Sequence, residues 1–226
     1  MNKIISLCAI LIWCLSISSV SNAQTPPSAV EKAQYSAFHK AVLDGDISKV
    51  KQLVADGADL EERDDSGRTA LHIATFTSDE KMFSFLAKAG SDVNAFEDDK
   101  YDVVTIAAVA NDVEMLHLTL ASGCDAKNTT SLYKGTALIA SAHLGHAEVV
   151  EVLLKANSNV DHVNNLGWTA LLEAVILGDG SPKYVEVVKS LLAFKADKNI
   201  ADNQGVTSLE HARQRGYEEI IELLER

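Results

Sequence analysis

A motif recurs along this chain about every 33 residues, and no other feature limits its fold so strongly. A unit that short cannot bury an apolar face alone, so its copies must stack against one another. The segments SAFHKAVLDGD, TALHIATFTSD, DVVTIAAVAND, TALIASAHLGH, TALLEAVILGD and TSLEHARQRGY open at Ser36, Thr69, Asp102, Thr136, Thr169 and Thr207, spaced 33, 33, 34, 33 and 38 residues apart. A second block follows in each of the first five units: VKQLVADGAD, FSFLAKAGSD, LHLTLASGCD, VEVLLKANSN and VKSLLAFKAD. There Val50, Leu53 and Val54, or Val150, Leu153 and Leu154, recur at helical spacing and line one face. Two helices per unit account for both blocks.

The recurring slots have physical reasons. Gly57, Gly90, Gly123 and Asn157 fall just past the second helix, where a left-handed residue closes the last turn and Gly or Asn enters that region at least cost. Lys195 takes the slot in the fifth unit and predicts local strain. Asp59, Asp92, Asp125, Asn159 and Asp197 follow as turn formers. Ser36, Thr69, Thr136, Thr169 and Thr207, with Asp102 in the third unit, are placed to cap the first helices. Small residues such as Ala70, Ala74, Ala137, Ala140, Ala170 and Ala174 let neighbouring units approach closely.

The patterns G-x-T-A-L-x-x-A, G-H-A-E-V-V-x-V-L-L and G-A-D resemble ankyrin repeats, over roughly residues 31–226. The stretch from GHAEVVEVLL to GDGSPK also resembles a bacterial subgroup with a longer loop in its penultimate repeat. Ala70, Ala137, Ala170 and Ser208 stand where the family usually has Pro, and YDVVTIAAVAND lacks both Gly and Thr, so the third unit is expected to be the least regular. The resemblance implies an all-α solenoid of about six stacked helix-turn-helix repeats with β-hairpin-like connecting loops. The expected domain is 33–226, with repeats at about 33–65, 66–98, 99–132, 133–165, 166–203 and 204–226, behind a linker at 24–32. EEIIELLER is expected to close the stack, with Glu219, Glu222 and Glu225 facing solvent. The resemblance further implies a module that binds proteins and seldom catalyses. Among exported bacterial relatives, such a module would restrain, protect or scaffold an envelope enzyme.

Residues 1–23, MNKIISLCAILIWCLSISSVSNA, combine Lys3, an apolar middle, and Ser21 and Ala23 before a cut expected after Ala23. The apolar run Ile4–Leu15 is shorter than the roughly 20 residues that cross a bilayer. A secretory signal is therefore expected, with the rest of the chain periplasmic or secreted and not inserted in a membrane. Cys8 and Cys14 would leave with the leader, so only Cys124 remains and stability must come from a core. The formal charge is −12, and −13 once Lys3 leaves. A surface of that sign repels phosphate backbones, which argues against nucleic acid as a partner. A protein partner, held by a monomer, is the expectation.

Other constellations lead to structure. The insertion G-D-G-S-P-K in the fifth unit lacks the strand and spacing of a phosphate loop and the alternating oxygen ligands of a calcium loop, and reads as a solenoid loop. His143 and His146 have no third clustered ligand, and Cys124 beside Asp125 fills a slot held by Ala58 and Ser91 elsewhere. No cofactor or metal is expected.

Binding is expected on the concave strip of hairpin tips and first-helix ends. Its candidate residues are Arg63, Asp65, Arg68, Phe76, Phe96, Asp98, Asp99, Tyr101, Tyr133, His143, Leu144, Asn165, Trp168 and Leu177. Phe96, Tyr101, Tyr133 and Trp168 occupy successive tips, either as exposed anchors for a partner or as packing between hairpins. The competing expectation is an envelope hydrolase using tip carboxylates such as Asp98 and Asp99.

Overall fold

The computed structural model describes residues 26–226, so the expected leader and its cut lie outside the described residues. Five pairs of helices repeat the two-block pattern: α2 (Ala37–Leu43) with α3 (Ile47–Ala55), α4 (Ala70–Phe76) with α5 (Glu80–Ala89), α6 (Val103–Val109) with α7 (Val113–Ala121), α8 (Ala137–Leu144) with α9 (Ala147–Lys155), and α10 (Ala170–Ile176) with α11 (Pro182–Ala193). A sixth pair, α12 (Ser208–Arg215) and α13 (Glu218–Glu225), ends the stack, and a short helix, α1 (Ala29–Gln34), precedes it. Among the described residues the only extended pairing is two isolated antiparallel bridges, Thr130–Gly135 and Ala201–Thr207.

Capping chemistry sets where the helices begin. The hydroxyls of Ser36, Thr136, Thr169 and Thr207 accept the amide three residues on, and the carboxylate of Asp102 accepts the Thr105 amide at 2.8 Å. Thr69 differs in that its own amide donates to His72 Nδ1 at 3.1 Å, and burial holds that imidazole's pKa down at about 4. Asp46, Asp79 and Asp112 cap α3, α5 and α7 in the same way. His146 stands in the equivalent position before α9, but its ring reaches across to the Ala108 carbonyl at 3.0 Å.

Left-handed residues set where the second helices end. Gly57, Gly90, Gly123, Asn157 and Lys195 have φ of 91°, 109°, 96°, 63° and 66°. In the fifth unit the amides of Lys195 and Ala196 reach back to Leu192 and Leu191, the same closure that Gly57 and Ala58 make onto Val54 and Leu53.

The helices stack in two rows. The first helices α2, α4, α6, α8, α10 and α12 pack each on the next, and so do α3, α5, α7, α9, α11 and α13. Ala70, Ala74, Ala137, Ala170 and Ala174 are buried where the first row closes, while Phe83, Leu86, Leu116 and Leu153 fill the space between the rows. The five inserted residues of the fifth unit lengthen α11 and form a loop docked on its neighbours. Tyr184 Oη donates to the His143 carbonyl and Tyr217 Oη to that of Gly178, both at 2.9 Å. At the far end Ile220 and Leu224 are buried and Glu219, Glu222 and Glu225 are exposed.

Two expectations are corrected. The described part of the expected linker holds the start of α1, because Ser28 and Glu31 cap each other and Glu31 then docks on the first tip. The third unit is regular in its helices: α6 matches α4 and α10 in length, since Asp102 caps as well as Thr. Its irregularity sits in its closing tip, where the 34-residue spacing adds one residue and Ser131 and, just beyond, Lys134 take φ of 65° and 52°.

Lys195 is exposed and left-handed, so its side chain gives little in return for its backbone cost. Lys195→Gly is expected to raise stability by about 0.5–1 kcal/mol in urea unfolding, and an unchanged or lower midpoint would refute the strain.

Candidate binding cleft

The tips are built by one device. In four tips a side-chain oxygen at the start accepts amides further along: Asp64 from Ser66 and Arg68, Glu97 from Tyr101, Asn164 from Leu166 and Trp168, and Asp202 from Gln204 and Val206, all at 2.8–3.0 Å, while in a fifth Ser131 Oγ accepts from Tyr133 and Gly135 at 3.3 and 3.4 Å. Adjacent tips then bond in series, with Asp98 N to Ser66 O at 3.1 Å, Ser131 N to Lys100 O at 3.1 Å and Asn165 N to Tyr133 O at 2.9 Å. The approach is close enough that a Cβ at Gly67 would collide with Asp98.

The candidate residues divide on this framework. Arg63 bridges two tips, donating to the Gly67 and Phe96 carbonyls at 2.6 Å. Arg68 is buried, paired with Glu31 at 2.8 Å and Asp64 at 3.4 Å, and lies over the half-buried Phe76 ring. Its charge serves the docking of α1. Hydrogen bonds from Ser28 first, then Ser66 and Arg68, hold the Glu31 pKa down at about 2. Asp65, Asp98, Asp99 and Asn165 are exposed, while Phe96, His143, Leu144 and Leu177 are half-buried.

Of the two readings left open for the tip aromatics, exposed anchor or packing, burial favours packing for Tyr101 and Trp168. Tyr101 and Trp168 are 8% and 9% exposed, and burial pushes the Tyr101 phenol up to about 12. Tyr101 lies beside Ser131 and Tyr133 of the next tip, which the Ser131–Lys100 backbone bond draws over it. Tyr133, at 40%, faces water. Cys124 is buried, its Sγ 3.2 Å from the Val93 carbonyl, and burial raises its thiol to about 12, so no nucleophile is available there. Among the described residues no group of three or more His, Cys, Asp and Glu gathers as a metal would require.

Between the tips and the first-helix row lies a cleft of about 130 Å³, walled by Tyr101, Val109, Tyr133, Ile139, Leu144 and Leu166, with Thr105, Ala140 and His143 on its floor. Glu173, only 4% exposed, lines it too. Its Oε1 accepts from Asn164 Nδ2 at 3.0 Å, and its Oε2 lies 3.4 Å from His143 Nδ1 with no hydrogen bond of its own. Tyr133, which lines the cleft, is 40% exposed, and Leu132 beside it and Val163 are 69% and 46% exposed.

Sequence reasoning missed Glu173 and Asn164. The register held a signal, since Glu173 occupies the first-helix slot of the buried Ile73 and Ile106, and Asn164 that of Asp64, Glu97 and Asp202. The two substitutions explain each other: an amide at 164 keeps the turn's acceptor oxygen and gives the buried carboxylate a donor.

Asn164→Asp therefore leaves two acceptors facing each other. It is expected to cost about 1–3 kcal/mol in denaturant unfolding at neutral pH, and Glu173→Gln in the same chain should recover most of it. Additive losses would show that the two side chains are uncoupled.

The comparisons with known proteins agree with this geometry. The family described as ankyrin repeats (3 copies) matches residues 6–97 and 104–202. The ankyrin repeat protein YahD of Escherichia coli (strain K12) is 35% identical over 185 residues, spanning 81% of this chain and 92% of that protein. Among solved structures, an ankyrin repeat domain from Acinetobacter baumannii AYE is 43% identical with a TM-score of 0.79, covering 83% of this chain and 95% of that one. The ankyrin repeat protein EF0377 is 33% identical with a TM-score of 0.79, over 85% and 98%.

Proposed function

The chain belongs to the ankyrin repeat family, whose repeats generally mediate protein–protein interaction and are typically non-catalytic, and from this we propose that it is an exported monomer that binds an envelope protein. Binding restrains, protects or scaffolds that partner, with no chemistry of its own.

The observation that carries the reading is exposed apolar surface on the tips beside the cleft. Among the described residues, three of the five exposed large apolar side chains, Leu132, Tyr133 and Val163, stand on two adjacent tips. Exposed apolar groups gathered beside a rigid cleft are what a protein interface uses for its anchors. The acidic charge of the chain, −12, favours a protein over nucleic acid. Export is supported by Lys3, the Ile4–Leu15 run and the small residues Ser21 and Ala23. Among the described residues no helix is long and apolar enough to cross a membrane.

The test is recovery of the full-length gene product, tagged at its C-terminus, from the envelope fraction of a bacterial host. The intact mass should correspond to a chain beginning at Gln24, and one envelope protein should co-purify. Leu132→Ser combined with Tyr133→Ala should weaken that capture by about thirty-fold or more while the helical circular dichroism is unchanged. A chain that retains Met1 contradicts export, and capture indifferent to the double variant contradicts this site.

A further inference from the structure

We propose that the cleft accepts one basic side chain, Lys or Arg, of a partner segment, with the cation meeting Glu173. The proposal rests on the reading of the chain as a protein-binding module and adds the chemistry of what it binds.

The first observation is an incomplete carboxylate. Glu173 is 4% exposed, its Oε1 is satisfied by Asn164, and its buried Oε2 has no hydrogen bond. A carboxylate has about four acceptor positions, and leaving a charged group short of donors in a buried place is costly. The chain supplies little to complete it. No Lys or Arg lines the cleft, and His143 Nδ1, at 3.4 Å, lies outside hydrogen-bond geometry.

The second observation is the shape of the approach. Apolar side chains of Val109, Ile139, Leu144 and Leu166, with the rings of Tyr101 and Tyr133, line the same cleft as this one carboxylate. A Lys or Arg matches that order, an aliphatic stem along apolar surface and a cation at its end, with the rings adding attraction for the charge. The volume of about 130 Å³ suits one side chain and falls well below the roughly 300 Å³ at which small-molecule sites begin. An apolar side chain would fill the walls and leave Oε2 unpaired, and an acidic one would be repelled. Tyr133 on the cleft lining and the exposed Leu132 next to it in the chain would meet residues flanking the basic one, and the charge of −12 favours a basic partner over the whole approach.

The test uses the purified chain and blocked pentapeptides with leucine flanks that differ only in the central residue: lysine, arginine, norleucine or glutamate. Amide shifts in ¹H–¹⁵N spectra are followed at low salt. The lysine and arginine peptides should shift Thr105, Leu144 and Glu173, and bind at least ten-fold more tightly than norleucine, with glutamate weakest. Glu173→Gln, which keeps the side chain's shape, should remove the ten-fold preference. Ala140→Leu, which narrows the cleft from a lining position and leaves the carboxylate in place, should abolish binding of every peptide. Equal binding of lysine and norleucine, no binding by any peptide, or a preference that survives Glu173→Gln overturns the proposal. If the captured envelope protein is held equally by the unaltered chain and by Glu173→Gln, the basic anchor falls and the protein-binding function stands. If basic peptides bind and nothing is captured, the function falls and the site stands.

Discussion

Burial between neighbours is the constraint on which this structure depends. A helix pair of this size presents an apolar stripe it cannot cover, and each unit is completed only when the next packs on it, first helix on first helix and second on second. Small side chains such as Ala74, Ala137 and Ala174 allow the close approach, and Phe83, Leu116 and Leu153 fill what remains. Stability is therefore shared along the stack, and the ends need their own solutions. At one end α1 is held on the first tip by Glu31, Ser66 and Arg68, and at the other α13 buries Ile220 and Leu224 and turns its glutamates to water.

The tips inherit their order from that stack. Each is held internally by an oxygen side chain over its own amides and externally by backbone bonds to the tip beside it or, at the last tip, by the Asn203 side chain, so the cleft they form is ordered before any partner arrives. Such a framework can carry a buried polar group at low risk of local collapse, and unit five uses it. Glu173 stands where units two and three carry Ile73 and Ile106, and Asn164 stands where units two, three and six carry an acid that would have opposed it. A carboxylate half-satisfied in this way weakens the free chain locally, which is a recurring trade at binding sites.

Much of this was legible in the sequence because it is local and repeated. The 33-residue period gave the stack, the hydroxyl slots gave the helix starts, and Gly57, Asn157 and Lys195 marked left-handed turns whose φ values follow from backbone sterics. The insertion after Gly178 was readable as a loop by arithmetic alone. What escaped is what depends on contacts across units. The burial of Tyr101 and Trp168 is decided across units, as are the capture of Arg68 by Glu31 from 37 residues away and the nearness of His143 to Glu173, set by the packing of α8 on α10. Linear spacing names the slot and leaves its exposure open.

The central claim is that the tips and first helices, and not the second-helix row, hold the partner. Hydrogen–deuterium exchange of the chain with and without the captured envelope protein tests it most directly. The account predicts slowed exchange in residues 130–135, 163–168 and along α8, with α7, α9 and α11 unaffected. Slowing confined to α7, α9 and α11 would contradict it.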